Sequence, residues 1–359
     1  MSDAAFDTVN PAAASPSRRP WVRALLADRL AVVGFVIVAL LVIVAVWPVQ
    51  WLPADPSVTS LVKRLRPPIW LEGGTWANPL GTDGLGRDIL SRMMLGTRYS
   101  LLIATLAVAI TAGIGVTLGL IAGYFGGRVD SVIMRLVDIQ LAFPLLLLII
   151  AVIAVLGASL PVLIVMLGIS GWAQYARLVR AETLKIKGHE YVEASRAIGN
   201  DALTIIWRHV LPNASTTIVV FGTFEFARIL LLESAVSFLG LGVQPPTPSW
   251  GTMIADGRDH IFGGWWVSAI PGLAIVLAVL AFNFVGDGLR DVLDPRGHAG
   301  ASARLARKRP AVARSTAADP RDGTRADSSA SASQGSHGAT STTDTPSTNT
   351  DETSGYDGR

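Results

Sequence analysis

Apolar and polar residues alternate along this chain in long blocks. Apolar blocks with few or no charges occupy residues 30–47, 101–125, 141–156, 162–176, 216–241 and 267–285. Blocks of this length and low charge are typical of helices that cross a bilayer. The pattern predicts an all-α integral membrane protein with six transmembrane helices joined by polar segments.

The first apolar block, 30–47, follows a polar N-terminal segment, 1–29, that contains several arginines. A cleaved signal peptide is the alternative, but its apolar region spans only about 7–15 residues before a small-residue cleavage site. This block is longer and ends at Trp47, an aromatic residue suited to the membrane interface. We therefore predict a retained first transmembrane helix.

Residues 48–100 are polar and are predicted to form an external loop. Asp83, Arg87 and Asp88 alternate in charge among glycines there. We favour local salt bridges that fold the loop over the alternative, a ligand site.

Three glycines, Gly115, Gly119 and Gly123, recur at every fourth position of the second apolar block. Small residues at this spacing form a helix face on which a neighbouring helix packs closely. The next segment, 126–140, mixes charged and apolar residues and is predicted to be amphipathic at the membrane surface.

Charged residues interrupt the fifth apolar block at Glu225, Arg228 and Glu233. Charges inside a span usually face a partner helix or a wet cavity. Glu225 and Arg228 are three residues apart and can pair on one helix face. An ion pair within the bundle and a lining of the translocation path both remain open. Beyond this block, Trp250, Trp265 and Trp266 are predicted to lie at the interface.

The stretch 191–213 is polar although it lies between two apolar blocks. Its ordered features are Glu193, Ala194, Ser195, then Gly199, and finally His209, Leu211 and Pro212. The pattern predicts a helix, a break at Gly199, and a second helix that stops at Pro212. Ala194 and Ala197 leave a thin face that another protein can approach. A simple connecting loop is the alternative.

Composition agrees with a multi-pass membrane protein, since 50% of the 359 residues are hydrophobic and 16% are charged. The chain has no cysteine and no Walker A sequence, and its five histidines lack metal-ligand spacing. We therefore predict no catalytic residue and no metal site. The formal charge of +3 is spread along the chain and does not favour nucleic-acid binding.

The 191–213 pattern resembles the EAA loop of ABC-importer permeases, with Ser195 and His209 as departures from the usual motif. The segment around Asp83, Arg87 and Asp88 is similar to a signature of the C-type permeases of the dipeptide/oligopeptide/nickel family. Segments 237–258 and 287–296 are also similar to these C-type permeases. The resemblance covers roughly residues 20–297.

This resemblance implies the type I ABC-importer permease fold, with a cytoplasmic coupling loop at 181–213 that docks on an ATPase. Glu193, Ala194, Ser195, Gly199, His209, Leu211 and Pro212 would then couple transport to ATP hydrolysis. The implied partners are a homologous permease subunit, two ATPase subunits that bind ATP and Mg²⁺, an extracytoplasmic substrate-binding protein and membrane lipid. This chain itself would bind no cofactor.

The substrate implied by the resemblance is a di- or oligopeptide. Nickel or another small solute is the alternative within the family. A self-contained secondary transporter is the alternative from another class, and only the charges at 225–233 offer it coupling residues.

Basic residues are concentrated in segments that share one side if six spans are assumed, which places both termini in the cytoplasm of a bacterial inner membrane. The external loop opposes this trend because it contains several arginines. The Ser/Thr/Ala-rich tail, 298–359, is predicted to be disordered and cytoplasmic.

Overall fold

The computed structural model describes residues 28–293 as an all-helical bundle. The predicted tail at 298–359 and nearly all of the N-terminal segment 1–29 lie outside this range. The helices are α1 Arg29–Val46, α2 Ile89–Phe125, α3 Gly127–Ala142, α4 Leu145–Leu156, α5 Leu160–Ser170, α6 Trp172–Lys187, α7 Glu190–Ala197, α8 Ala202–Ile205, α9 Leu211–Phe238, α10 Trp250–Gly257, α11 Ile261–Gly264 and α12 Trp266–Leu293. A π-helical turn, Ile206–Val210, joins α8 to α9.

The six predicted transmembrane helices are confirmed as five long apolar helices and one broken pair. The long helices are α1, α2, α5 with α6, α8 with α9, and α12. The broken pair is α3 and α4, which meet at an angle of 84°. Pro144 is the N-cap of α4 and disfavours the helical conformation at the preceding Phe143, which is extended with ψ of 136°. The third span was predicted from Leu141, but its helix begins at Leu145 for this reason.

Helix α2 begins at Ile89, well before the predicted start at Leu101. Asp88 caps it by accepting a hydrogen bond from the backbone N–H of Ser91 at 2.8 Å. The same carboxylate accepts a bond from Asn78 Nδ2 at 2.9 Å. The last residues of the predicted external loop therefore form the first three turns of α2.

The glycine face of α2 lies against α6. A Cβ atom added at Gly115 would approach the Tyr175 Cβ to 2.4 Å, and one at Gly119 would approach the Ala176 carbonyl oxygen to 2.7 Å. A Cβ at Gly123 would lie 2.6 Å from the Thr183 Cβ. Only glycine allows the two backbones to approach so closely at these positions.

The two largest of four hydrophobic clusters within residues 28–293 hold different parts of the bundle together. The first, cluster 1, includes Ile103, Ile149, Leu167 and Trp250. The second, cluster 2, includes Leu120, Tyr124, Tyr175, Val179 and Val192. Cluster 2 therefore joins the C-terminal half of α2 and the middle of α6 to the segment that follows α6.

Two of the three tryptophans predicted at the interface are buried within the protein. Trp250 is fully buried and Trp266 is 6% exposed, whereas Trp265 is 46% exposed. Ser249 and Thr252 form a capping box that starts α10 and turns Trp250 into cluster 1. The sequence gives no sign of this cap before the helix itself is known.

Candidate functional site

The segment after α6, residues 188–213, is called here the coupling segment. Helix α7 ends where Gly199 adopts a φ of +88°, a value that side chains with a Cβ resist. The backbone N–H of Gly199 donates to the Arg196 carbonyl at 3.0 Å. Asn200 Nδ2 donates to Ser195 Oγ at 2.9 Å. The structure therefore has a helix end at Gly199, and Ser195 takes part in the turn.

The inner face of the coupling segment is anchored in cluster 2. Val192 is fully buried and Ser195 is 6% exposed. Ile205, Ile206 and Val210 of the following helical turns are buried in the same cluster. The coupling segment is thus attached to α2 and α6 by packing as well as by the chain.

The end of α2 is also bonded to this region. Lys187 Nζ donates to the Tyr124 carbonyl at 2.6 Å, which satisfies a carbonyl at the C-terminal end of α2. The Arg196 guanidinium lies 5.8 Å from the centre of the Tyr124 ring, within the range of a cation–π contact. A displacement of α7 therefore acts directly on the end of α2.

The coupling segment exposes several large apolar side chains, and three of them are more than 60% exposed. Ile198 is 80% exposed, Leu203 is 62% exposed and Trp207 is 66% exposed. We call these three residues the docking patch. Apolar patches rimmed by polar residues often mark protein interaction sites. The sequence pattern did not single them out, although apolar residues on an otherwise polar segment were a usable signal.

The predicted coupling residues fall on both faces of the segment. Glu193, Ala194 and Gly199 are exposed, whereas Ser195 is buried. His209 and Leu211 are half-buried, and Pro212 is exposed.

The predicted helix stop at Pro212 was wrong, because α9 continues through it to Phe238. Pro212 lies in the first turn of α9, where a proline needs no backbone N–H. The π-helical turn before it shifts the hydrogen-bond register, since the Leu211 N–H donates to the Ile206 carbonyl. The His209 carbonyl accepts a bond from Asn213 Nδ2 at 2.6 Å.

A cavity of about 800 Å³ opens beside the coupling segment, between α6, α9 and α12. Its wall includes Glu182, Lys185 and Arg290, together with the rings of Phe221 and Phe224. Volumes of this order hold small ligands. The wall therefore offers charges of both signs and aromatic surface.

The charged residues of α9 lie away from this cavity. Arg228 Nε donates to Glu225 Oε2 at 2.8 Å, so the two form an ion pair. Glu225 is 2% exposed and Glu233 is fully buried. Ser237 Oγ donates to Glu233 Oε1 at 2.7 Å. None of the three lines the cavity beside the coupling segment.

At the opposite end of the bundle, Asp83 folds the loop that precedes α2, predicted to be external, onto α10. Its carboxylate accepts from Arg87 Nε at 2.7 Å and from the guanidinium of Arg92. Both arginines also contact Asp256, each at 2.9 Å. The salt bridges therefore extend beyond the loop to α2 and α10. The sequence pattern did not reveal that Arg92 and Asp256 pair with each other.

Residues 115–298 match the family of binding-protein-dependent transport system inner membrane components. The matched region contains the glycine face, the coupling segment and α9, the features just described. This chain belongs to that family. It is accordingly a multi-pass permease component of the inner membrane.

Named relatives extend the similarity to most of the chain. The di/tripeptide transport system permease protein DppC of Pseudomonas aeruginosa is 44% identical over 79% of this chain and 93% of its own length. The glutathione transport system permease protein GsiD of Pectobacterium atrosepticum is 42% identical over 79% and 92%. The dipeptide transport system permease protein DppC of Escherichia coli K12 is 43% identical over 74% and 89%.

The permease should lose the contact between its external loop and α10 in strong acid. Burial raises the pKa of Asp83, but Arg92, Arg87 and two backbone N–H groups lower it further, so the net pKa lies below its ordinary value. A depressed carboxyl pKa stabilises the fold above about pH 3.9 and loses its effect as the pH falls through the lower folded value. Amide hydrogen exchange of residues 80–92, corrected for the intrinsic pH dependence of exchange, is expected to accelerate as the pH falls below about 3.9.

Asp83→Asn serves as the control for this pH effect. The variant lacks the titrating group, so its exchange is expected to be faster at neutral pH and to change less on acidification. An equal acceleration in both proteins would show that another group is responsible.

Proposed function

We propose that this chain is the permease subunit of an ATP-driven importer of short peptides. The relatives named above carry di/tripeptide, dipeptide and glutathione in their names. The matched regions cover most of the length of each relative, so the similarity is not confined to one shared segment. These names support short peptides over nickel as the substrate class.

The docking patch is the observation that carries the proposal. Ile198, Leu203 and Trp207 expose apolar surface on a segment whose other face is fixed to α2 and α6. A self-contained transporter has no use for such a surface. We propose that an ATPase subunit covers the patch and that Glu193, Ala194, Gly199 and His209 shape its rim.

The remaining partners are proposed from the family to which the chain belongs. We propose a homologous permease subunit beside this chain, a second ATPase beneath it, and an extracytoplasmic binding protein that delivers the peptide. ATP and Mg²⁺ bind to the ATPase subunits, so this chain needs no cofactor and catalyses no reaction. Lipid covers the apolar face of α1, where Val36 and Leu40 are exposed.

We propose that the coupling segment and both termini are cytoplasmic. The external loop and α10 then face the binding protein. In this orientation the cavity bounded by Glu182 and Arg290 opens near the cytoplasmic side. We propose that peptides leave through this cavity, since its positive and negative side chains suit a zwitterion. We also propose that Glu225, Arg228 and Glu233 stabilise the helices around the path without lining it.

Uptake of a labelled dipeptide into proteoliposomes tests the proposal. The complex with both ATPases and the binding protein is expected to accumulate peptide only when ATP is present on the side of the membrane where the ATPases lie. Glu193→Lys is expected to reduce uptake and stimulated ATP hydrolysis together by tenfold or more, because it reverses a charge at the docking rim. The subunit should still insert and copurify with its permease partner.

Two controls separate the alternatives. ATPase subunits unable to hydrolyse ATP should abolish uptake, and excess Ni²⁺ should not compete with the peptide. Uptake driven by an ion gradient without ATPases would instead support a secondary transporter.

A further inference from the structure

The span formed by α5 and α6 is interrupted at Gly171, between Ser170 and Trp172. Carbonyl groups at the end of α5 accept side-chain hydrogen bonds from two other helices. Thr111 Oγ1 of α2 donates to the Gly168 carbonyl at 2.6 Å. Gln140 Nε2 of α3 donates to the Ile169 carbonyl at 2.8 Å and to the Ser170 carbonyl at 3.2 Å. Side chains thus stabilise the break, as they do helix ends.

The ion pair of α9 lies against the same break. Arg228 Nη2 donates to Ser170 Oγ at 3.2 Å while the guanidinium also holds Glu225. A Cβ atom at Gly171 would lie 1.9 Å from Glu225 Oε1 and 2.7 Å from Arg228 Nη2. The ion pair therefore fills the space that a side chain at residue 171 would need. A shift of the backbone at Gly171 must move the ion pair, and a shift of the ion pair must move this backbone.

The break separates residues that belong to different hydrophobic clusters. Leu163 and Leu167 before it pack in cluster 1, whereas Tyr175 and Val179 after it pack in cluster 2. Arg180 also pairs with Asp130 of α3. Helix α6 is therefore attached to the coupling segment side of the bundle, and α5 to the opposite side.

We propose that Glu225 and Arg228 are positioning residues for transport, because they set the angle between α5 and α6 at Gly171. This inference rests on the proposed ATP-driven import. Movement of the coupling segment reaches α6 through cluster 2, and the angle at Gly171 determines how far α5 follows. A break with a glycine at its centre absorbs such a change at low cost.

Gly171→Ala is the first test. The added methyl group meets the ends of two side chains rather than backbone, so the variant is expected to fold and assemble. It displaces the ion pair and should lower the amount of peptide moved per ATP hydrolysed about tenfold. Gly113→Ala is the matched control, since no atom outside its own helix lies within 4 Å of that Cβ. A normal transport ratio in Gly171→Ala overturns the inference.

A second substitution distinguishes positioning from simple loss of stability. Glu225→Asp shortens the side chain by one methylene and makes room for the new methyl group. The double variant Gly171→Ala with Glu225→Asp should transport more peptide per ATP than Gly171→Ala alone. Two independent structural defects would instead add, and additive losses would contradict the proposal.

The angle itself can be followed because the chain contains no cysteine. Cysteines at Val155 of α4, the helix that precedes α5, and at Leu273 of α12, 83% and 60% exposed, carry the spin labels. A bend of about 20° at Gly171 moves the start of α5 sideways by about 5 Å. We expect that shift on ATP binding in the assembled wild-type complex and in Gly113→Ala, and no shift in Gly171→Ala.

The two proposals fail differently in these experiments. Absence of peptide uptake by the wild-type complex contradicts the substrate assignment, yet the label distances still report the angle. An unchanged distance in a wild-type complex that transports peptide contradicts the role of the break alone.

Discussion

Replacing Gly119 with valine is expected to prevent most of the protein from folding. The new Cβ would lie 2.7 Å from the Ala176 carbonyl oxygen and 3.1 Å from the Arg180 backbone nitrogen. Backbone atoms of a packed helix cannot move aside, so α2 and α6 must separate. Overpacking in a core costs about 1–3 kcal/mol even where side chains adjust. We expect a larger cost here, against a total stability of about 5–15 kcal/mol.

Gly113→Val is the control for this prediction. It places the same residue on the same helix, but at a position with open space. The yield of monodisperse protein on size-exclusion chromatography in detergent should fall several-fold for Gly119→Val and stay near wild type for Gly113→Val. Equal yields would show that the glycine face does not determine packing.

Replacing Trp207 with alanine is expected to uncouple the permease from its ATPase. Trp207 presents the largest side chain of the docking patch and is 66% exposed in this chain alone. Buried tryptophans at interfaces commonly contribute about 2 kcal/mol or more. That value corresponds to roughly a 30-fold weaker complex. Copurification of the ATPase and peptide-stimulated hydrolysis should both fall accordingly.

Trp76→Ala is the matched control, because Trp76 is 81% exposed but lies in the external loop. It should leave ATPase binding unchanged. Leu203→Ala should weaken binding in the same direction as Trp207→Ala but less, since it removes less apolar surface. If Trp76→Ala weakened ATPase binding as much as Trp207→Ala, the docking patch would have no special role.

Features encoded by local pattern could be predicted from the sequence. Six apolar blocks give the number of spans, and the spacing of Gly115, Gly119 and Gly123 marks a face for close packing. Gly199 marks the end of a helix because a single residue carries the unusual backbone conformation. In each case the physical cause lies within a few residues of the chain.

Features set by local hydrogen-bond geometry or by distant residues could not be predicted in this way. Pro212 was expected to end a helix, but a π-helical turn before it accommodates the ring. The burial of Trp250 accompanies a capping box at the start of α10, which the apolar pattern does not mark. The pairing of Arg92 with Asp256 joins residues far apart in sequence. The match between Gly171 and the Glu225–Arg228 pair is of the same kind.

The length of α2 has a further consequence. Its 37 residues extend about 55 Å, whereas the hydrocarbon core of a bilayer is about 30 Å thick. One unbroken helix therefore carries Arg92, which holds the external loop, and Tyr124, which contacts Lys187 and Arg196. Rotation of this helix about its own axis turns both ends through the same angle. In the proposed complex, the binding protein and the ATPase would then act on opposite ends of one rigid helix. A movement at either end would reach the other through this helix alone.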